Sequence, residues 1–130
     1  MRQITKRFLK GQDLRVEIEK LIKAENIKAG IILSGVGSLG PPVRLRMPDG
    51  KTVREWNEPF EIVSMIGTLS INGDHIHLSL SDMDGAVIGG HLKEGCIIRT
   101  TVEFVVLVFD DVEYKRALDQ KSGYDELVVQ

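Results

Sequence analysis

One cysteine, one tryptophan and four prolines are all that this 130-residue chain has of those residues, and only 5% of it is aromatic. A lone Cys96 cannot form an intrachain disulfide, which fits a protein of a reducing compartment. Long apolar runs are missing too. The best stretch, Phe104-Val-Val-Leu-Val-Phe109, is far too short to cross a bilayer. The N-terminal Met1-Arg-Gln-Ile-Thr-Lys-Arg-Phe8 has basic residues but neither a following apolar stretch nor a cleavage signal. A cytoplasmic protein with no membrane attachment is therefore expected. Positive charge is not in excess: 17 Lys and Arg face 19 Asp and Glu, for a net charge of −2. That balance counts against a domain that grips nucleic acid mainly through its phosphates. Nothing is repetitive or low in complexity, and residues 1–130 read as a single domain.

What is present reads mostly as strands. Met1–Lys10 is predicted as a strand, stopped by Gly11-Gln-Asp13. Leu14, Ile18, Leu21 and Ile22 then fall on one helical stripe, with Asp13 as its N-cap and Asn26 as its end. Strands are predicted at Gly30–Gly40, Val43–Met47, Phe60–Ile71 and Cys96–Phe109, with a turn at Pro48-Asp49-Gly50. Beyond Asp110 the chain is polar with scattered apolar anchors, which predicts a short helix or packed tail. One main N-terminal helix among six to eight strands is an α+β architecture dominated by antiparallel pairing.

All three histidines of the chain lie in one short stretch, Gly73–His91. Ile76, Leu78 and Leu80 alternate with His75, His77, Ser79 and Ser81, the period of a strand with one buried face. After Asp84-Gly85 the alternation resumes, with Ile88 and Leu92 on one side and Val87, Gly89 and His91 on the other. The parity of the loop decides whether the imidazoles meet. A two-residue Asp84-Gly85 turn would pair Leu78 with His91 and part the histidines. A three-residue Met83-Asp84-Gly85 loop, with Gly85 left-handed, pairs His77 with His91 and keeps the aliphatic face continuous. The odd loop is the consistent choice. Three imidazoles on one polar face suit a divalent metal with an open position, Zn²⁺ first, and Fe²⁺, Ni²⁺ or Co²⁺ by the same chemistry. The competing reading is a hydrogen-bonded polar cluster at a subunit interface, or simply an exposed face.

Other motifs carry less. Gly35-Val-Gly-Ser-Leu-Gly40 has the form of a dinucleotide fingerprint, but Pro41-Pro42 and a strand follow where a helix is required. Its glycines are better suited to a bulge or to close packing of another backbone. Glu103 shares a strand face with Arg99 and Thr101. If that face continues the histidine face, Glu103 could support an imidazole N–H or act as a general base, and the alternative is a pairing with Arg99. Asp74 and Asp84 read as turn formers, and Cys96 as buried and inert. Arg44, Arg46, Lys51 and Arg54 form the densest basic segment, either a phosphate contact or a solvated turn.

Gly73-Asp-His-Ile-His77, Asp84-Gly85, Val87-Ile-Gly-Gly-His-Leu92 and Thr101-Val-Glu103, with Gly30…Gly35-Val-Gly37, resemble the PPC (plants and prokaryotes conserved) domain. The resemblance runs over most of the chain in order. It implies an α+β domain on an antiparallel sheet that assembles as a homotrimer. Plant relatives join this domain to an AT-hook, and prokaryotic ones carry a DNA-binding label. This chain lacks the Arg-Gly-Arg core of such a hook, so the domain label outlives the DNA inference. The resemblance also implies that His75, His77 and His91 hold a metal.

Three functions follow as expectations. The first is a trimeric regulator associated with DNA, carrying a zinc-class metal on the three histidines. The second is a small metal-dependent enzyme that uses a zinc-bound water with Glu103 as base, which needs a pocket at the histidine face. The third is a trimeric module that recruits other regulatory proteins without touching DNA.

Overall fold

Helix α1 (Leu14–Ala24) forms where the apolar stripe predicts it, and both of its ends are built from side chains and backbone of the flanking residues. Asp13 caps it, accepting from the Val16 N–H at 3.3 Å. The second Asp13 oxygen accepts from the Gly95 N–H at 2.7 Å, tying the helix start to the turn that leads into the last long strand of the main sheet. At the other end Asn26 takes φ of 49°, and the Asn26 and Ile27 N–H groups bond back to the carbonyls of Lys23 and Ile22. That is a Schellman stop, and buried Ile22 and Ile27 supply its apolar contact.

The computed structural model describes all 130 residues. Ten strands surround the one helix: β1 (Arg2–Leu9), β2 (Gly30–Leu39), β3 (Val43–Arg46), β4 (Val53–Trp56), β5 (Phe60–Ser70), β6 (Gly73–Ser81), β7 (Val87–Leu92), β8 (Ile98–Val108), β9 (Tyr114–Leu118) and β10 (Asp125–Val129). The first eight make one sheet in the order β1-β8-β2-β5-β6-β7-β3-β4, and every pairing in it is antiparallel. This is the α+β arrangement expected. Alternate residues of the strands and the stripe Leu14, Ile18 and Ile22 of α1 close a single core that includes Phe8, Leu45, Leu80, Leu92 and Phe104. No helix is long and apolar enough to cross a membrane.

Two expectations need correcting. The tail after Asp110 is not a short helix; it packs on the body as a hairpin, β9–β10, in a two-stranded sheet of its own. Its turn is organised by Asp119, which accepts from the Lys121 and Ser122 N–H groups. Polar anchors hold it in place: Asn72 exchanges two hydrogen bonds with the Arg116 backbone, and the Tyr114 N–H bonds to the Lys28 carbonyl. Strand β4 was also missed. It pairs with β3 over Val43–Trp56 to Arg46–Val53 and is largely exposed, so it lacks the buried alternation that marks a strand in sequence.

The glycine motif works by close approach. β2 continues through it to Leu39 without any helix, and its ladder with β8 shifts register between Gly37 and Leu39. A Cβ on Gly37 would lie 2.0 Å from the Thr101 carbonyl oxygen. The phosphate-cradle reading falls, and the packing reading stands.

Candidate metal centre

The β6–β7 hairpin has the odd loop. Asp82 bonds to Ala86 across its neck, Asp82 Oδ1 accepts from the Asp84 and Ala86 N–H groups at 2.9 Å each, and Gly85 is left-handed at φ of 80°. Asp82, not Asp84, is the acid that shapes the turn. The ladder then pairs Ser81 with Val87, Leu80 with Ile88 and His77 with His91. Buried Ile76, Leu78 and Leu80 take the core face, so the imidazoles share the other.

The three rings converge. Their centroids lie 4.7, 5.3 and 5.6 Å apart, and one potential ligand nitrogen from each falls within 4.8 Å of the other two. The Nε2 atoms of His75 and His77 are 3.0 Å apart, close to the roughly 3.3 Å that two nitrogens on one tetrahedral zinc would show at ordinary bond lengths. His91 Nδ1 is buried without a hydrogen-bond partner. A buried imidazole nitrogen without a partner is unusual in a relaxed core, and a metal or a donor would satisfy it. Burial, helped by the charge of Arg46, pushes the His91 imidazole down to about 3. Burial and the neighbouring His77 lower His75 as well. Both rings are therefore neutral at physiological pH, which is the ligating form. The donor set fits a zinc-class divalent cation.

These rings form the floor of an open cavity of about 740 Å³. One wall is the end of β3 and its turn, with Arg46 beside His91 in the ladder. The opposite wall is the tail hairpin, which brings Arg116, Tyr124, Asp125 and Glu126. Asn72, Gly73 and Asp74 close one end.

Asp74 was misjudged in the sequence. It lies inside β6, with the parity of Ile76 and Leu78, and its side chain is only 3% exposed. Arg15 of α1 reaches it at 3.4 Å. Burial raises its carboxyl, and the Arg15 charge opposes that shift. An acid at a core-parity position was the available signal.

Of the remaining candidates only Arg46 joins the histidines. Glu103 pairs with Arg7 of β1 and Val36 of β2 and is exposed. Its strand is the third one over from β6, roughly 14 Å across the sheet at ordinary strand spacing, so it cannot support an imidazole. The basic segment scatters as well. Arg44 pairs with Glu55 at 3.7 Å, Arg54 stacks 5.2 Å above the Trp56 ring, Lys51 stays at the exposed turn, and Arg46 enters the histidine cavity.

Comparison with known proteins agrees with this architecture. The model of the Plants and Prokaryotes Conserved (PCC) domain matches residues 1–110. The chain belongs to that family. A hypothetical protein of Salmonella enterica has the same fold at a TM-score of 0.95 and 33% identity, covering 99% of this chain and 93% of that one. A metal-containing protein of Archaeoglobus fulgidus aligns at 0.81 and 27% identity, over 98% and 94% of the two chains. In sequence the chain is 39% identical over 124 residues to the bifunctional protein GlmU of a Synechococcus strain, covering 95% of this chain. It spans about a fifth of the length of the GlmU relatives it matches (20%). Within this PCC chain the tail hairpin follows the family match, so one wall of the histidine cavity comes from residues beyond it.

Proposed function

We propose that this PCC chain is a metal-dependent small-molecule protein, with His75, His77 and His91 holding one Zn²⁺ or similar divalent ion at the floor of the cavity. The observation that carries the reading is the convergence of three imidazole nitrogens within 4.8 Å at an open pocket instead of in a closed core. Three protein nitrogens leave a coordination position free, the arrangement of catalytic zinc sites rather than structural ones. A bound cation would supply Lewis-acid polarisation of a ligand oxygen. The chain's residues do the rest. The ladder fixes the spacing of His77 and His91, and the Arg15–Asp74 pair anchors the start of β6 to the helix. The metal-containing relative from Archaeoglobus supports the assignment. Residues 1–130 act together in this reading, in a cytoplasmic setting that the single buried thiol suits.

DNA-associated regulation is the second reading, and it rests on the family resemblance with Lys51 and Arg54 at the edge hairpin. The dispersal of the four basic residues weighs against it. Phosphate contact predicts an affinity that falls steeply with salt, and absent binding at low salt removes it. A homotrimer is proposed for either reading, because Leu33, Val36, Val63 and Ile66 are exposed on adjacent strands β2 and β5. The same face would serve a protein-recruiting module.

Elemental analysis of gently purified protein should find about one divalent metal per chain. Free zinc at a hundred times its dissociation constant should add about 2.7 kcal/mol of stability, and His77→Ala should abolish that gain. Metal-free protein whose melting ignores zinc would refute the centre.

A further inference from the structure

Two arginines line the histidine cavity outside any close ion pair. Arg46 and Arg116 both line it, and neither is among the ion pairs of the chain, although Asp74, Asp125 and Glu126 line the same cavity. Asp74 is engaged by Arg15, while Asp125 and Glu126 are exposed at the start of β10. Each of the two guanidiniums has a buried Nε with no hydrogen-bond partner. Arg116 spends only its Nη2, on Thr68 Oγ1 at 2.6 Å, and Thr68 pairs with His75 in the β5–β6 ladder. Arg46 stands beside His91 across the β3–β7 ladder. The two charges therefore flank the imidazoles from opposite walls.

Their supports look built for this position. The Arg116 stem lies over Gly73, where a Cβ would approach its Cγ to 3.1 Å, and Asn72 clamps the Arg116 backbone from both sides. A guanidinium is planar and presents donors in a fork that matches carboxylate and phosphate oxygens. Partly buried cations without an ion-pair partner are costly, and an oxyanion in the cavity would supply one. The same oxygens are good ligands for a divalent cation.

We propose that the cavity takes a small organic ligand through a carboxylate or phosphate group, which Arg46 and Arg116 hold over the three-histidine floor. This rests on the metal reading for its orientation, but the arginine contacts are independent of it. Tyr124 stands at the rim, with its hydroxyl packed against Gly50 so closely that a Cβ there would collide with it. The tail hairpin thus contributes both an anion-binding residue and part of the rim.

Calorimetric titration of methyl phosphate and of malonate into zinc-loaded and metal-free protein tests the proposal, and whichever probe saturates a single site distinguishes phosphate from carboxylate. Arg46→Gln and Arg116→Gln should each weaken that binding roughly tenfold or more, as loss of a hydrogen bond to a charged group does, with zinc content unchanged. Arg116→Lys should recover part of the loss, and it carries the comparison with Arg46→Gln should Arg116→Gln fail to fold. Absence of binding by both probes to both forms overturns the proposal, as do unchanged affinities in the glutamine variants. Should the protein take up no zinc, the metal reading falls alone, and the metal-free titration with the same variants decides the oxyanion site.

Discussion

Arg15 Nη2 lies 3.4 Å from Asp74 Oδ1, joining the only helix to the residue just before the first histidine. The same guanidinium donates to the Leu92 carbonyl at 3.2 Å and to Glu19 at 3.1 Å. It therefore touches both strands of the histidine hairpin. Removing it by Arg15→Met leaves the Asp74 carboxylate buried without its cation, which should cost about 3 kcal/mol of unfolding free energy. The double variant with Asp74→Asn should regain part of that loss. Urea denaturation of the four proteins in the cycle measures it, and an unchanged midpoint for Arg15→Met would show that Asp74 needs no cation.

Parity made the histidine face legible in the sequence, because a one-residue slip would have buried imidazoles among aliphatics. Strand order was not legible. Glu103 does occupy a polar, outward face, but β8 lies between β1 and β2, and no local pattern states which strands become neighbours. Asp74 fails for a related reason. Its turn ends two residues earlier, at Asn72, so the acid already lies inside a strand and meets a helix residue 59 positions away (74 − 15). The tail hairpin left almost no trace. β10 is exposed throughout and is held by hydrogen bonds, so periodicity had no burial to report.

Gly37 is the position in β2 where substitution should be least tolerated. A Cβ there would stand 2.0 Å from the Thr101 oxygen and 2.8 Å from Val102 Cα, both of them backbone atoms that cannot swing aside. Gly37→Ala must part β2 from β8 locally. A loss of about 3 kcal/mol is expected, at the upper end for overpacking a well-filled interior. Thermal unfolding measures it. A variant with wild-type stability would mean that the register shift beside Gly37 can absorb a methyl group.

Cys96 should respond to alkali as a buried thiol. Its side chain is fully buried, and Sγ accepts from the Arg44 N–H at 3.4 Å and donates to the Arg44 carbonyl at 3.2 Å. Burial raises the thiol from 9.0 to about 11. The folded state therefore holds this proton more tightly than the unfolded chain. The contribution is complete below about pH 9 and is lost as pH rises from 9 to 11. Relative to Cys96→Ala, the wild type should lose up to about 1.4 kcal/mol per pH unit across that window. At pH 8 the folded protein should resist thiol reagents. Parallel pH profiles for the two proteins would contradict the assignment.

The apolar strip on β2 and β5 and the metal centre are neighbours, and their roles can be separated. Ile66, 64% exposed, pairs with His77 in the β5–β6 ladder, and Leu33 and Val36 continue the strip on β2. In the proposed trimer this strip is covered by another copy of the chain, which places the histidines beside the subunit contact. All three ligand candidates nevertheless come from one hairpin of one chain. Leu33→Glu sets a carboxylate into the strip away from His77, and it should give monomers by light scattering at micromolar concentration. Zinc stoichiometry should stay at about one per chain in that variant, because no ligand is supplied in trans. A monomeric wild type would end the trimer proposal. A monomeric Leu33→Glu variant that had lost its zinc would show instead that a neighbouring subunit completes the site.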